Sequence, residues 1–413
     1  MRPLSSIATL ARPAAGLAAL ALALALAACS SSSAGPGDSP GGSADSAVYK
    51  LMVFGEFSVG PGAQLPVPYP QISAGARAAA AAINKSGGVN HHRIDIIVCD
   101  TKGSPDGATV CASQAVADKV VAVVGALDLT GDYMSVLQQA GIPAIGPYAI
   151  AQTLVNPDSF PLYGGSAANL AGSVALLARQ GVKSVSVVAN ESAGLSAYSA
   201  ILKPVQAHFP GLKISLDPIA STAVDLAPVV AQADRSGGIV LATNSPASAV
   251  SFLKDQQESG VKRPISSSTT QVTPTLLAQA GPLLADLNVY VASAWLPSTD
   301  TQNPAVAAFD KAMNAEDPGA ARDDFSMNAY TAVQVFTRIT TGRPAVTPSS
   351  VIRYLKTVKA LDLGLVAPLQ FTTPSAATPG LPRLFNPDVI ILQVRDGKLV
   401  PVTGHFVNAY SQQ

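Results

Sequence analysis

The sequence predicts an α/β protein of two units, each a mostly parallel sheet with helices on both faces. Three observations predict it. From Tyr49 onward, short apolar runs alternate with longer Ala-rich stretches of helical period, the signature of a covered parallel sheet. At 413 residues the chain exceeds what one hydrophobic core usually serves, so two lobes are the default expectation. The alternation also breaks over the irregular passage Gly146 to Gly165, where a first α/β unit ends and a second starts.

Strands are expected at Tyr49–Phe54, Ile94–Cys99, Val120–Gly125, Ala144–Ile145, Ser184–Ala189, Ile214–Leu216, Gly238–Ala242 and Asn288–Ala292. Helices are expected between them at Ile72–Asn84, Pro105–Asp118, Tyr133–Ala140, Ala167–Gln180, Leu195–His208, Leu226–Ala233, Pro246–Ser259 and Pro274–Ala280. Gly87-Gly88, Gly141 with Pro143, Gly181 and Gly260 punctuate helix ends, where a positive φ or a stop is useful. After Trp295 the pattern turns helical, with Asn303–Ala315, Asp324–Thr341 and Pro348–Lys359, and a Pro-rich tail from Leu365 ends in the strand-like Val389–Arg395. Helices too few for a third unit imply that the chain returns to both lobes, crossing between them several times and leaving a cleft.

The first residues read as an export signal: Arg2 and Arg12, an Ala/Leu run from Leu17, then Leu26-Ala27-Ala28-Cys29. Leu, two small residues and Cys in that order resemble the lipobox of bacterial lipoproteins. The resemblance implies removal of residues 1–28 and lipidation of Cys29; an ordinary signal peptide cut nearby and a transmembrane anchor are the alternatives. Residues 29–46, rich in Ser, Gly, Pro and Ala, read as a flexible tether that cannot bury enough apolar surface to offset ordering entropy. A globular body is thereby expected on the outer face of the cytoplasmic membrane.

The chain carries 26 basic and 26 acidic side chains, and losing Arg2 and Arg12 with the leader leaves a net charge of −2, which argues against nucleic acid. No later segment approaches the apolar length of a membrane span. Cys99 would end a strand and Cys111 would lie one or two turns into the next helix, so in an oxidising compartment a disulfide across the short loop is sterically reasonable. Two buried free thiols are the alternative.

Landmarks then fall in an ordered set: Ala82-Ile83-Asn84 with Gly87-Gly88, Asp100 after the second strand, Ala122-Val123-Val124-Gly125 followed by Gly141-Ile142-Pro143, Gly181 before Val185–Val188, Asp225 ahead of a helix, Ala280-Gly281 and Tyr330. The set resembles type I periplasmic binding proteins of the leucine/isoleucine/valine-binding group, the substrate-binding lipoproteins of branched-chain amino-acid and amide ABC transporters, over roughly Tyr49 to Val400. The resemblance implies two Rossmann-like lobes, 47–163 plus 295–362 and 166–293 plus 366–410, joined by a three-crossover hinge. It also implies a Cys99–Cys111 disulfide, a small-molecule solute, an ABC permease as partner, a monomer, and no cofactor or metal. A ligand would sit between the lobes at the carboxyl ends of strands.

On that placement the candidate contacts in lobe one are Ser58 and Gln64 of the loop after the first strand, Tyr69 beyond it, Thr130, Tyr148 and Ala149. Lobe two offers Asn190, Glu191, Asn244, Thr270 and Gln271, with helix capping as the alternative role for such residues. Four departures from the resemblance stand out. Only Thr130, displaced by one place, can supply the hydroxyl that amino-acid binders carry after the third strand, and Ile150 stands where a Thr is expected. Phe160–Gly165 lacks the Arg often found at that crossing, and Ala193 replaces a frequent Tyr. Because a buried ligand charge without partners costs about several kcal/mol, such a site should prefer a less charged, more apolar solute.

Catalytic constellations are thin. His91, His92, His208 and His405 offer no metal-ligand spacing, and Gly194-Leu195-Ser196-Ala197-Tyr198 lacks the second Gly of a nucleophile elbow. Asp323-Asp324 reads as a helix-start pair suited to the helix dipole, its side chains pointing apart. The expected function is extracytoplasmic capture of a small organic solute (an amino acid, amide or related less charged compound) for an ABC importer, without bond chemistry. A ligand-sensing lipoprotein that partners a membrane signalling protein is the alternative.

Overall fold

A computed structural model describes residues 48–63, 67–191, 195–220 and 222–412, without the side chain of residue 196. The expected leader, tether and Cys29 lie outside the described residues, as do Gln64 and Ala193. Two sheets organise the rest. The first runs β2-β1-β3-β4-β5, with β1 (Val48–Gly55), β2 (Arg93–Asp100), β3 (Ala122–Val124), β4 (Ala144–Ile145) and β5 (Ser159–Phe160), all parallel. Leu51 to Phe54 of β1 are wholly buried, as befits the middle of a sheet covered on both faces. Helices α1 (Gln71–Lys85), α2 (Pro105–Ala117) and α3 (Tyr133–Gln139) connect these strands, and α4 (Gly165–Arg179) leads out of β5.

The second sheet joins β6 (Ser184–Asn190), β7 (Lys213–Ile219), β8 (Gly238–Leu241), β9 (Ile265–Ser268), β10 (Tyr290–Ser293), β11 (Asp388–Arg395) and β12 (Lys398–Pro401) in the order β12-β11-β10-β9-β8-β6-β7, with β13 (Val407–Asn408) on β11. It is parallel up to β10 and antiparallel beyond it. Helices α5 (Leu195–His208), α6 (Ala227–Ala233), α7 (Pro246–Ser259) and α8 (Pro274–Asp286) complete this α/β unit. The chain then supplies α9 (Pro304–Glu316), α10 (Asp324–Thr340) and α11 (Pro348–Leu355) to the core of the first sheet before β11 returns to the second. This is a two-lobe α/β fold.

Helix α10 is buried nearly all round because it lies between the first sheet and α1, and a capping box of Asp323 and Ser326 starts it. Its approach to α1 depends on Gly75, where a Cβ would lie 2.2 Å from the Ser326 carbonyl oxygen. Cys99 and Cys111 form a disulfide with their Cα atoms 5.7 Å apart, joining the end of β2 to α2. The crossing segments also meet. Tyr163 packs edge-on against Trp295 at 5.5 Å, and Trp295 pairs with Val366 in an isolated bridge. Trp295 is 1% exposed, so it packs the crossings rather than walling a cleft.

Four strands, β5, β9, β12 and β13, were not expected from sequence, and two helix ends differ, α11 stopping at Leu355 instead of Lys359 and α8 running past Ala280. β5 is two residues long, and β12 forms a tight hairpin with β11, so neither leaves a long apolar run. β9 was hidden by its composition, since three buried serines follow Ile265. Their hydroxyls find partners: Ser266 donates to the Ser173 carbonyl at 2.9 Å and Ser267 to that of Leu241 at 2.7 Å. Helix α8 continues through Pro282 to Asp286 instead of stopping at Ala280, because Leu284 beyond the proline is fully buried.

Candidate functional site

In each sheet the strand order reverses once beside the first strand of the unit. β1 lies between β2 and β3, and β6 between β7 and β8. At such switch points the connections leave in opposite directions and open a crevice at the carboxyl ends of the strands. The loops there hold Glu56–Ser58 and Ala126–Thr130 in the first sheet, and Asn190–Glu191 and Thr243–Asn244 in the second. Five of the eleven sequence-derived candidates, Ser58, Thr130, Asn190, Glu191 and Asn244, therefore sit at the two switch points.

Hydrogen bonding shows what these loops can offer. Asp100 Oδ1 accepts the N–H groups of Phe57 (3.1 Å), Ser58 (3.2 Å) and Lys102 (2.9 Å), and its Oδ2 accepts the Ser58 hydroxyl. Burial would raise this carboxyl, yet the bonds from Ser58, Lys102 and Phe57 outweigh it and hold the group below its ordinary value. Asp128 gathers the donors of its own loop: Oδ1 accepts Thr130 N–H (3.0 Å), Thr130 Oγ1 (2.7 Å) and Gly131 N–H (2.6 Å). Ser58 and Thr130 thus already spend their hydroxyls on neighbouring carboxylates.

Tyr69 and Tyr148 form an aromatic wall with Phe325 of α10. Ring centroids lie 4.9 Å apart for Tyr69–Phe325 and 6.0 Å for Tyr148–Phe325. Tyr148 shares a 2.6 Å hydrogen bond with Ser166 at the start of α4, linking the β4 loop to the first crossing. Burial raises both phenols; Tyr148, Glu56 and Asp323 add to the rise at Tyr69, while at Tyr148 Ser166 opposes it and Asp324 and Tyr198 add to it. Ala149 is buried, and its carbonyl faces Gly165, which has φ +65° and where a Cβ would lie 2.8 Å away. The structure therefore puts Ala149 in the packing of the crossing.

In the second sheet, Asn190 Oδ1 accepts Thr243 Oγ1 (2.5 Å) and Asn244 N–H (3.1 Å), and Asn244 Oδ1 accepts Gln271 Nε2 (3.1 Å). Thr270 shares hydrogen bonds with Ser268 and Gln271, so Thr270 and Gln271 belong to the β9–α8 loop and Thr273 is the helix cap. Glu191 is exposed, its N–H bonded to the Ile219 carbonyl. The result is a continuous polar rim from β6 to β9.

The acidic pair at the start of α10 points apart as expected, and its two members have different partners. Asp323 is the helix cap, bonded to Phe325 N–H (3.1 Å), Ser326 N–H (3.0 Å) and Gln71 Nε2 (2.8 Å). Asp324 instead points to the second sheet, where Thr269 Oγ1 donates to Oδ2 at 2.7 Å. Burial raises this carboxyl to about 7; Thr269 opposes the rise, Asp323 adds to it and Asn169 opposes it. Beside the pair lies a cavity of about 70 Å³, lined by Thr269, Ser293, Leu296, Asp323, Asp324 and Met327 among others. The sequence carried a faint signal: Asp324, Met327 and Asn328 share one face of α10, and that face is buried. Among the described residues, no group of three or more His, Cys, Asp or Glu side chains could hold a metal ion, and no helix is long and apolar enough to cross a membrane.

Comparison with known proteins adds a lineage to this geometry. No curated protein sequence matches the chain. Among solved structures, a fatty acid ABC transporter substrate-binding protein from Thermomonospora curvata matches with TM-score 0.67 and 20% identity, covering 86% of this chain and 91% of its own. A putative branched-chain amino acid ABC transporter protein from Rhodospirillum rubrum gives TM-score 0.67 and 19% identity, over 86% and 100%. The substrate binding protein LivJ from Streptococcus pneumoniae, in complex with isoleucine, gives 0.64 and 18%, over 87% and 99%. These likenesses share the fold. The family described as periplasmic binding protein matches residues 60–397, and with that match over most of its length the chain belongs to this family of binding proteins.

Proposed function

We propose that this protein captures a small organic solute between its two lobes and delivers it to an ABC importer, working as a monomer held to the outer face of the cytoplasmic membrane by a lipid on Cys29. The observation that carries the reading is a switch point in each of two sheets, with polar side chains in the loops there, and a hydrogen bond from Thr269 after β9 of the second sheet to Asp324 of α10, which packs on the first. The names of the fold neighbours, transporter substrate-binding proteins for fatty acid and branched-chain amino acid among them, support the same role. The lobes in this reading are 47–163 plus 295–362 and 166–293 plus 366–410, with the hinge at the crossings packed by Tyr163, Trp295 and Val366. Tyr69, Tyr148 and Phe325 wall the ligand from one side. Asn244, Thr270 and Gln271 face it from the other.

Binding works by population shift. A solute touching both lobes has differential affinity for the closed form, which the permease distinguishes from the open one. Addition of the right solute is expected to reduce the radius of gyration in small-angle scattering and to raise the melting temperature. A broad solute library that changes neither, together with protein purified free of any small molecule by mass spectrometry, would overturn the proposal.

A further inference from the structure

The chain carries as many acids as bases, yet one stretch holds bases alone. From Phe325 to Leu361 stand Arg338, Arg343, Arg353, Lys356 and Lys359, with no Asp or Glu among them. Folding gathers them. Arg338, Arg343 and Lys359 line an open pocket of about 280 Å³ with Tyr354 and Thr357, between the last turn of α10 and the end of α11. The guanidinium carbons of Arg343 and Arg353 lie 4.9 and 5.6 Å from the centre of the Tyr354 ring, and Lys356 follows Arg353 on the same face of α11. All five are exposed, and none has an ion-pair partner among the described residues, where Arg322 with Asp310 is the pair that forms. No carboxylate lines the pocket, and Asp362, the next acid in sequence, turns its Oδ1 to the Gly364 N–H at 2.9 Å. Arg338 and Arg353 stand in last turns, where a helix end favours a cation; Arg343, Lys356 and Lys359 lie at or beyond those ends and gain little there. Like charges gathered without a counter-charge repel one another, and an external anion relieves the repulsion.

The position of the cluster says what the anion belongs to. Helix α10 begins at the seam with the second sheet and runs 17 residues, so its other end is about 25 Å from that seam and away from the candidate cleft. It lies instead where the chain enters the fold. Val48, the first residue of β1, pairs with Arg93, and Asn90 in the turn before Arg93 holds the end of α10: its Nδ2 donates to the Thr340 carbonyl at 2.9 Å and its Oδ1 accepts the Gly342 N–H at 2.7 Å. Tyr49 packs edge-on against Phe336 of α10 at 6.1 Å. Everything before Val48, Cys29 included, therefore joins the fold beside this cluster, and the residues from Cys29 to Ala47 reach at most about 65 Å when extended.

We infer that this end of the first lobe rests on a bilayer surface of anionic phospholipid, with a headgroup phosphate in the pocket between Arg338, Arg343 and Lys359 and with Arg353 and Lys356 on neighbouring headgroups. The inference rests on the reading of Cys29 as a lipid anchor and adds which face of the protein meets the membrane. Guanidinium groups grip phosphate with paired hydrogen bonds, and each cation near an anionic surface adds an attraction that fades within a Debye length. An anchor attached at this end of the fold makes the encounter intramolecular, so weak contacts suffice. Docked this way, the protein keeps its cleft clear for solute.

Mass spectrometry of the mature protein first reads the acyl group on Cys29; its absence refutes the anchor and with it the inference, and leaves solute capture standing. The acylated protein is then reconstituted into supported bilayers of phosphatidylcholine alone or with an equal share of phosphatidylglycerol. Neutron reflectometry reads the water layer between headgroups and protein. On the anionic bilayer at about 0.1 M salt that layer is expected to vanish, and at about 1 M salt, or on phosphatidylcholine alone, it is expected to open. Arg338→Gln/Arg343→Gln/Lys356→Gln/Lys359→Gln, confined to exposed side chains, should keep the melting temperature and open the layer on anionic lipid; Arg343→Gln/Lys359→Gln repeats the test with fewer changes. A control with the exposed Lys203, Lys213, Lys254 and Lys262 of the second lobe changed to Gln should leave the layer closed. An acylated protein that stands off anionic lipid, that closes on both bilayers alike, or that responds equally to the patch and control variants overturns the inference while the anchor remains.

Discussion

At Asp324 a carboxyl raised to about 7 faces Asp323 on its own helix, Thr269 from the β9 loop and Asn169 from α4, and it acts on Tyr148 and Tyr163 at the first crossing. Its ordinary value is 3.8. Between these two values the folded chain holds a proton that the unfolded chain has released, so this group makes stability fall as pH rises from about 4 to about 7 and stay level above. Asp324→Asn removes that fall, and above pH 7 the variant without solute should be more stable by on the order of 3 kcal/mol. Urea midpoints of the two proteins between pH 4.5 and 8 measure it. Parallel curves would show that the carboxyl is not strained. The residue was hard to find because sequence gives a helix-start acid an adequate role on the surface, and only the second sheet, brought up by distant residues, turns that surface into a seam.

Helices α1 and α10 form the most extensively packed helix pair of the first lobe, and their spacing is set by Gly75 against the backbone of Ser326. Gly75→Ala should push α10 away and cost about 3 kcal/mol, a value at the upper end of overpacking effects. Because Gln71 of α1 also bonds Asp323, the same variant should weaken solute binding, read as a higher Kd alongside the lower denaturation midpoint. A variant as stable as the parent would mean that the helices part without loss. The Cys99–Cys111 bridge holds the end of β2 next to the Asp100 clamp. Replacing both cysteines by Ala is expected to lower stability by about 3 kcal/mol, as for a closed loop of this size, measured by denaturation with and without reductant. Loss of the reductant effect in the variant completes the check. Most elements were legible in sequence because apolar period is a local property. β9 was not, since Ser266, Ser267 and Ser268 are buried by hydrogen bonds to Ser173, Leu241 and one another's neighbours, which no local pattern encodes.

Across the whole molecule, the three crossings are tied into one packed knot by Trp295, with Tyr163 on one side and Val366 on the other. Trp295→Ala opens a cavity there and should cost about 3 to 5 kcal/mol. Calorimetry should show the loss, and scattering should show a wider spread of sizes without solute; an unchanged unfolding profile would remove Trp295 from the hinge. Arg383 adds a second tie, its guanidinium between the rings of Phe160 and Phe385 at 4.5 and 4.6 Å and its Nε bonded to the Ser159 carbonyl. Sequence alone determined the α/β class, the two-unit organisation and the order of most elements, because hydrophobic period, capping residues and glycine stops act within a few residues of one another. The tertiary structure decided what the loops at the strand ends can bind. Whether Ser58 and Thr130 offer a hydroxyl or have already given it away depends on where Asp100 and Asp128 point, and whether Asp324 faces water or the other lobe depends on chain that is far away in sequence and adjacent only after folding.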